Sequence, residues 1–366
     1  MSISRTLGSL PRMKKTEHIY FLHQALKSRD LDKLRKLSKT KYGFVSLDLR
    51  LKAYKLLLRC DFDEYQPCLS RKSRPGLGSL NTNLKASNST LEASDSSNSS
   101  SSESREDIKQ LPSKDLLHQI QLDVDRIFGK SMYASSDVLK QRENLVSLLT
   151  FIFQRFPGLQ YYQGYHEVAA MFLPFGLLHA RKLLSAISVL YLRDYMEHTM
   201  ESTISHCNLL LEILKRLDPE LHQHFISMGD FNTFFSVPWI LTLFSHESNP
   251  FTSSENREKL FLLFDALLCS HPCFILHFCC QIIQLKRTEL LACNDMSDIL
   301  MIVLKIPFNE LDLPLLISQA DLSESTFDRL VYTKALGSLS MASTYSGKII
   351  TITCSTITTG SFYHHN

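Results

Sequence analysis

Two short stretches of the sequence place polar side chains where chemistry could use them. The first is IQLDVDR, residues 120–126. Asp123 and Arg126 stand three apart and share one helical face, while Ile120 and Val124 face inward. Taken alone, the pair reads as an exposed ion pair worth roughly a few tenths of a kcal/mol. The second is LQYYQGYHEVAAMF, residues 159–172. Gln163 offers both donors and an acceptor, so it can hold a water in a set orientation; alone, it reads as a polar helix cap. Gly164 permits a close backbone approach to a ligand or a tight turn at a helix start. His166 is a candidate general base or a hydrogen-bonding residue at the helix start, and the second role is the expected one.

Helices must carry these groups. Leu117, Ile120, Val124 and Ile127 recur at intervals of 3, 4 and 3, one face of a helix. A second helix is expected over 139–156, closed by Pro157-Gly158. A third starts in the glutamine stretch, with Val168, Met171, Phe172 and Phe175 as its apolar face. Further helices are expected at 181–195, 202–216, 219–228, 232–246, 256–270, 272–286 and 294–305. Upstream, residues 16–40 read as one charged, solvated amphipathic helix that Gly43 can end. Residues 43–58 follow with Ala53, Leu56 and Leu57 as an apolar face. Trp239, the only tryptophan, reads as core. The fold class is all-α.

Composition excludes several functions. The chain has 366 residues, 44% hydrophobic content and a net charge of +3, too weak an excess to suggest nucleic acid. Nine cysteines form no CxxC pair; they read as reduced, buried thiols in a reducing cytosol. The most apolar stretch, 261–285, is interrupted by Asp265, His271, Pro272 and His277. It reads as two core helices, since a membrane span needs roughly 20 apolar residues. No apolar run of that length follows residue 320 either, so no transmembrane segment is expected in this chain. The first residues lack a signal-peptide core. Residues 86–104 hold ten serines in nineteen positions and read as disordered. The Ile/Thr-rich end, 335–366, reads as a strand or a disordered tail. No P-loop pattern occurs, so the chain is not itself a nucleoside triphosphatase of that class.

Together the two stretches resemble the signature motifs of the TBC-domain GTPase-activating proteins, which act on Rab GTPases. Ile120, Asp123 and Arg126 meet the family's Ile-x-x-Asp-x-x-Arg, and Tyr161, Gln163 and Gly164 meet its Tyr-x-Gln-Gly. Upstream, Arg50 and Tyr54 followed by Leu56-Leu57 match the family's opening Arg-x-x-x-Trp, with tyrosine in place of tryptophan. The resemblance spans roughly 43–320. It implies a helical TBC domain over 43–320 with a disordered Ser-rich insert at 70–107, preceded by a charged helical segment, 1–42. A divergent, poorly ordered tail would follow, 321–366. It also implies a partner, a GTP-bound Rab, with the GTP and Mg²⁺ belonging to that partner and no cofactor on this chain.

The implied roles are specific. Arg126 would be an arginine finger, offsetting charge that builds on the transferring phosphoryl group; lysine lacks the planar fork for this task. Gln163 would be a glutamine finger that places the attacking water. Asp123 would brace Arg126, Tyr161 and Gly164 would set the pose of Gln163, and Arg50 would form a structural ion pair. The resemblance further implies a cytoplasmic protein, peripheral at endoplasmic reticulum or Golgi membranes, regulating vesicle traffic between them. The alternative is a catalytically inactive TBC-like module that only binds a Rab.

Overall fold

The computed structural model describes residues 13–59, 112–128, 135–229, 232–247, 253–328 and 330–332. The expected insert, 70–107, and the Ile/Thr-rich end, 335–366, lie outside them. Among the described residues there are fifteen α-helices and no strand, so the chain is all-α.

The N-terminal region differs from its expected form. In place of one solvated helix there are two, α1 (Lys15–Ser28) and α2 (Leu31–Ser38). Arg29 turns the chain into the left-handed region at φ 54°, and the Asp30 side chain caps α2 by accepting from the Lys33 amide. Leu22, Leu34 and Leu37 are buried: α1 packs on α2, and α2 packs on a core helix further along the chain. Helix α3 (Leu47–Leu57) begins at Ser46, whose hydroxyl accepts from the Leu49 amide.

The site-bearing helices come next. They are α4 (Lys114–Phe128), α5 (Ser136–Arg155) and the short α6 (Tyr165–Ala170), which contact one another pairwise. Ile120 and Val124 of α4 are fully buried, as their spacing predicts. The helix expected at 181–195 changes pitch. Regular helix α7 (Leu177–Ile187) passes into a π-type turn at Ser188–Leu192 and a 3₁₀ turn at Arg193–Tyr195. Ser188 sits at the change; its hydroxyl meets the Leu184 carbonyl and the Tyr165 hydroxyl, each at 2.6 Å.

Helices α8 (Glu201–Leu217) and α9 (Pro219–Ser227) follow, the second capped by Asp218. The span expected as a helix at 232–246 holds only α10 (Val237–Thr242), after a 3₁₀ turn. It stops because Leu243 and Phe244 take positive φ, which lets Phe244 stack on Trp239 at 5.4 Å in the core. The apolar stretch 261–285 is two core helices, α11 (Ser254–Leu267) and α12 (Phe274–Gln284). Every residue of α12 from Phe274 to Ile283 is buried; a helix apolar all round must be enclosed, and α8, α10 and α15 enclose it. The six cysteines among the described residues are free and buried.

The chain closes with α13 (Arg287–Leu291), α14 (Met296–Val303) and α15 (Leu313–Thr326). Helix α15 runs straight through residue 320, where the tail was expected to begin. Lys39 reaches Asp321 and Glu324 on it, and beyond it Tyr332 is buried with its hydroxyl 2.6 Å from His277 Nε2. No helix among the described residues is long and apolar enough to cross a membrane.

Candidate functional site

Arg126 lies in the last turn of α4 with its side chain 59% exposed, while Asp123 one turn earlier is 0% exposed. The Arg126 guanidinium donates to Asp123 Oδ1. The other carboxylate oxygen, Oδ2, accepts from the Tyr161 hydroxyl at 2.8 Å and from Gln119 Nε2 at 3.2 Å. A buried carboxylate needs such partners. Tyr161 is held in turn by His166 Nδ1 at 3.1 Å, and burial followed by the Asp123 bond raises its phenol well above the ordinary range. Asp123 thus ties α4 to the segment that carries Gln163.

That segment, 159–164, is non-helical and fastened at several points. The Gln160 amide donates to the Met196 carbonyl at 2.7 Å, and the Tyr162 hydroxyl donates to the Leu241 carbonyl at 2.7 Å. Phe153 of α5 packs edge-on against Tyr161 and Tyr165, each at 5.7 Å. Gln163 is exposed and makes no side-chain hydrogen bond among the described residues. Gly164 has φ +103°, and a Cβ there would stand 2.7 Å from Thr242 Cγ2 on α10. The tight turn at the helix start, one of the two readings of this glycine, is present. Gly164 packs against α10 and also lines the depression described below. Gly164→Ala is expected to cost about 2 kcal/mol from backbone strain and collision, measured by urea unfolding. Adding Thr242→Ser should recover only the collision part.

Arg126 and Gln163, far apart in sequence, line one open depression of about 570 Å³. His166 and Glu167 of α6 complete one side, and Val237, Pro238 and Leu241 of α10 supply an apolar wall. At the rim, His246 Nδ1 sits 2.9 Å from Glu167 Oε1. The hydrogen bond to Glu167 raises the His246 imidazole pKa. His166 is shifted the other way, chiefly by burial. Sequence reasoning missed Glu167, His246 and the α10 wall. Their partners lie 79 residues away for both His246–Glu167 and Tyr162–Leu241, so no local spacing could signal them.

Arg50 does not line the depression. It is a structural ion pair, as expected: its Nε donates to Asp265 Oδ2 at 3.1 Å and its Nη1 to Glu258 at 2.8 Å. Tyr54, where the family pattern has tryptophan, donates its hydroxyl to Asp265 at 2.6 Å. Burial pushes the Asp265 carboxyl up, and Arg50, the Phe44 amide and Tyr54 pull against it. Gly43 closes this cluster rather than ending α2: its φ is +50°, and a Cβ there would collide with the Asp265 carboxylate.

The comparisons with known proteins agree with this architecture. Residues 48–291 match the family model of the Rab-GTPase-TBC domain, more than half of the chain. GTPase-activating protein gyp10 of Schizosaccharomyces pombe is 32% identical over 189 residues, 50% of this chain and 48% of that protein. TBC1 domain family member 20 of Mus musculus is 28% identical over 313 residues, 84% of this chain and 67% of that protein. The chain therefore spans about half of the first relative's length and two thirds of the second's. The crystal structure of the Ypt/Rab-GAP domain of Gyp1p superposes with a TM-score of 0.52 at 14% identity, over 86% of this chain and 100% of that one, a likeness of fold. On the family match and the helical architecture together, the chain belongs to the Rab-GTPase-TBC domain family.

Proposed function

We propose that this protein accelerates GTP hydrolysis by a Rab-family small GTPase, supplying Arg126 and Gln163 in trans. The supporting observation is that both side chains, from different segments, are exposed on one depression, with the buried Asp123 carboxylate bonding Arg126 directly and Tyr161, two residues before Gln163. The GTPase brings GTP and Mg²⁺. Its phosphoryl group gains charge on the equatorial oxygens in the transition state, and a guanidinium placed there offsets it. Arg126 can turn outward because its side chain is largely exposed and, among the described residues, its hydrogen bonding is to Asp123 alone. Gln163 has no side-chain hydrogen bond to break among the described residues, so its amide is ready to orient the attacking water. No general base is required, since positioning and electrostatics carry this reaction. His166 accordingly serves the hydrogen-bond network rather than proton abstraction.

The traffic step that the family resemblance implies lies between the endoplasmic reticulum and the Golgi, and Rab proteins of that step lead the list of candidates. Peripheral attachment at those membranes is part of the same proposal. The test is a panel of GTP-loaded Rab proteins with phosphate release as readout. At least one should hydrolyse roughly 10³-fold faster or more at saturating protein. Tight binding with no acceleration across the panel would instead make this a binding module.

A further inference from the structure

His166 has a ring nitrogen that the network just described does not use. Tyr161 has one hydroxyl proton, and the Asp123 carboxylate can only accept, so that proton goes to Asp123 Oδ2 at 2.8 Å. The 3.1 Å contact between Tyr161 and His166 Nδ1 must then be donated by the ring. In a neutral imidazole this leaves Nε2 as an acceptor. Nε2 makes no hydrogen bond among the described residues, and it is not among the sealed polar atoms that lack one. His166 is otherwise buried, and the surface it does show belongs to the depression that Arg126 and Gln163 line.

We infer that His166 is a further partner-contacting residue, with Nδ1–H holding Tyr161 and Nε2 accepting a hydrogen bond from a backbone N–H or hydroxyl of the docked GTPase. This rests on the proposed function. The charged and titratable groups around the ring are Glu167, Asp123, Arg126, Tyr161 and His246. Burial is the largest influence and lowers the imidazole pKa; Glu167 and Asp123 oppose it, and Arg126 and His246 add to it. The ring is therefore neutral at pH 7. As pH falls through that lowered value, Nε2 gains a proton, becomes a donor and loses the contact.

The experiment compares wild type with His166→Asn and His166→Gln on a responsive GTP-loaded Rab between about pH 5.5 and 8. Asparagine places an amide donor near the Nδ1 position but no acceptor at Nε2; glutamine places its amide near Nε2. His166→Asn should raise KM for the GTPase about tenfold at pH 7.5, with kcat within about twofold and an unchanged Tm. His166→Gln should recover part of that KM loss. The wild-type to His166→Asn ratio of kcat/KM should fall towards one as the medium is acidified. The inference is overturned if His166→Asn keeps the wild-type KM. It is equally overturned if the loss appears in Tm and kcat with a ratio constant across pH, which is the mark of a structural role. If wild-type protein accelerates no GTPase, the proposed function falls and this inference with it. If wild type accelerates and His166→Asn matches it, only the role of His166 falls.

Discussion

Arg126→Ala is expected to lower the acceleration of GTP hydrolysis roughly 10³-fold or more, with only a small loss of stability. The two effects separate because Arg126 is largely exposed while its partner Asp123 is buried. Removing the guanidinium takes one donor from Asp123 but leaves Tyr161 and Gln119, so the fold should lose about 1 kcal/mol. Arg126→Lys sharpens the test. A lysine keeps a positive charge near Asp123 but cannot present two parallel donors to phosphate oxygens. It should preserve Tm and still lose most of the acceleration. Single-turnover phosphate release at saturating protein reads the chemical step directly. Arg126→Ala with wild-type rates would mean that the functional guanidinium lies elsewhere.

Asp265→Ala should produce the largest loss of stability of any single change to the ion-pair network, about 3–5 kcal/mol. The carboxylate is fully buried and receives the Arg50 guanidinium, the Tyr54 hydroxyl and the Phe44 amide. Removing it leaves Arg50, 3% exposed, with Glu258 as its remaining carboxylate partner, and leaves two further donors unpaired in the core. Tyr54→Phe removes one donor and keeps the ring, so it should cost about 1–2 kcal/mol. Urea denaturation of each variant measures both. Neither residue lines the depression, so the activity per folded molecule should stay at the wild-type level. A loss below about 1 kcal/mol for Asp265→Ala would show that water or another group replaces the carboxylate.

Much of the helical layout was legible because it depends on local spacing. The 3, 4, 3 interval from Leu117 to Ile127 predicts the buried face of α4, and Asp218-Pro219 marks the start of α9. Elsewhere the decisive contacts are distant. Arg29 breaks the N-terminal helix without glycine or proline, and Leu34 is buried although charged residues surround it. The reason is packing against α11, more than two hundred residues away. The site shows the same division. Asp123, Arg126, Tyr161 and Gln163 stood out through two motifs, whereas the α10 wall and His246 carry no motif. They reach the depression only because Gly164 packs against Thr242 and Tyr162 reaches Leu241. The tyrosine at position 54 is a further case. It departs from the family pattern, and its hydroxyl has a purpose visible only once Asp265 is known to lie beside it.

The shared carboxylate of Asp123 has a consequence for motion. Arg126 and the Gln163 segment are referenced to the same buried group, one through Oδ1 and the other through Tyr161 and Oδ2. A shift of α4 therefore pulls on Tyr161 through that carboxylate, while the Gln160 and Tyr162 bonds to the Met196 and Leu241 carbonyls hold the same segment to the rest of the domain. The backbones that carry the two side chains are thus cross-tied, while Arg126 and Gln163 themselves stay exposed and able to turn. A transferring phosphoryl group and its attacking water need the separation of the two side chains kept to within about half an ångström. They need no particular position relative to the distant core. The cross-tie bears on that separation through the backbone positions from which both side chains extend.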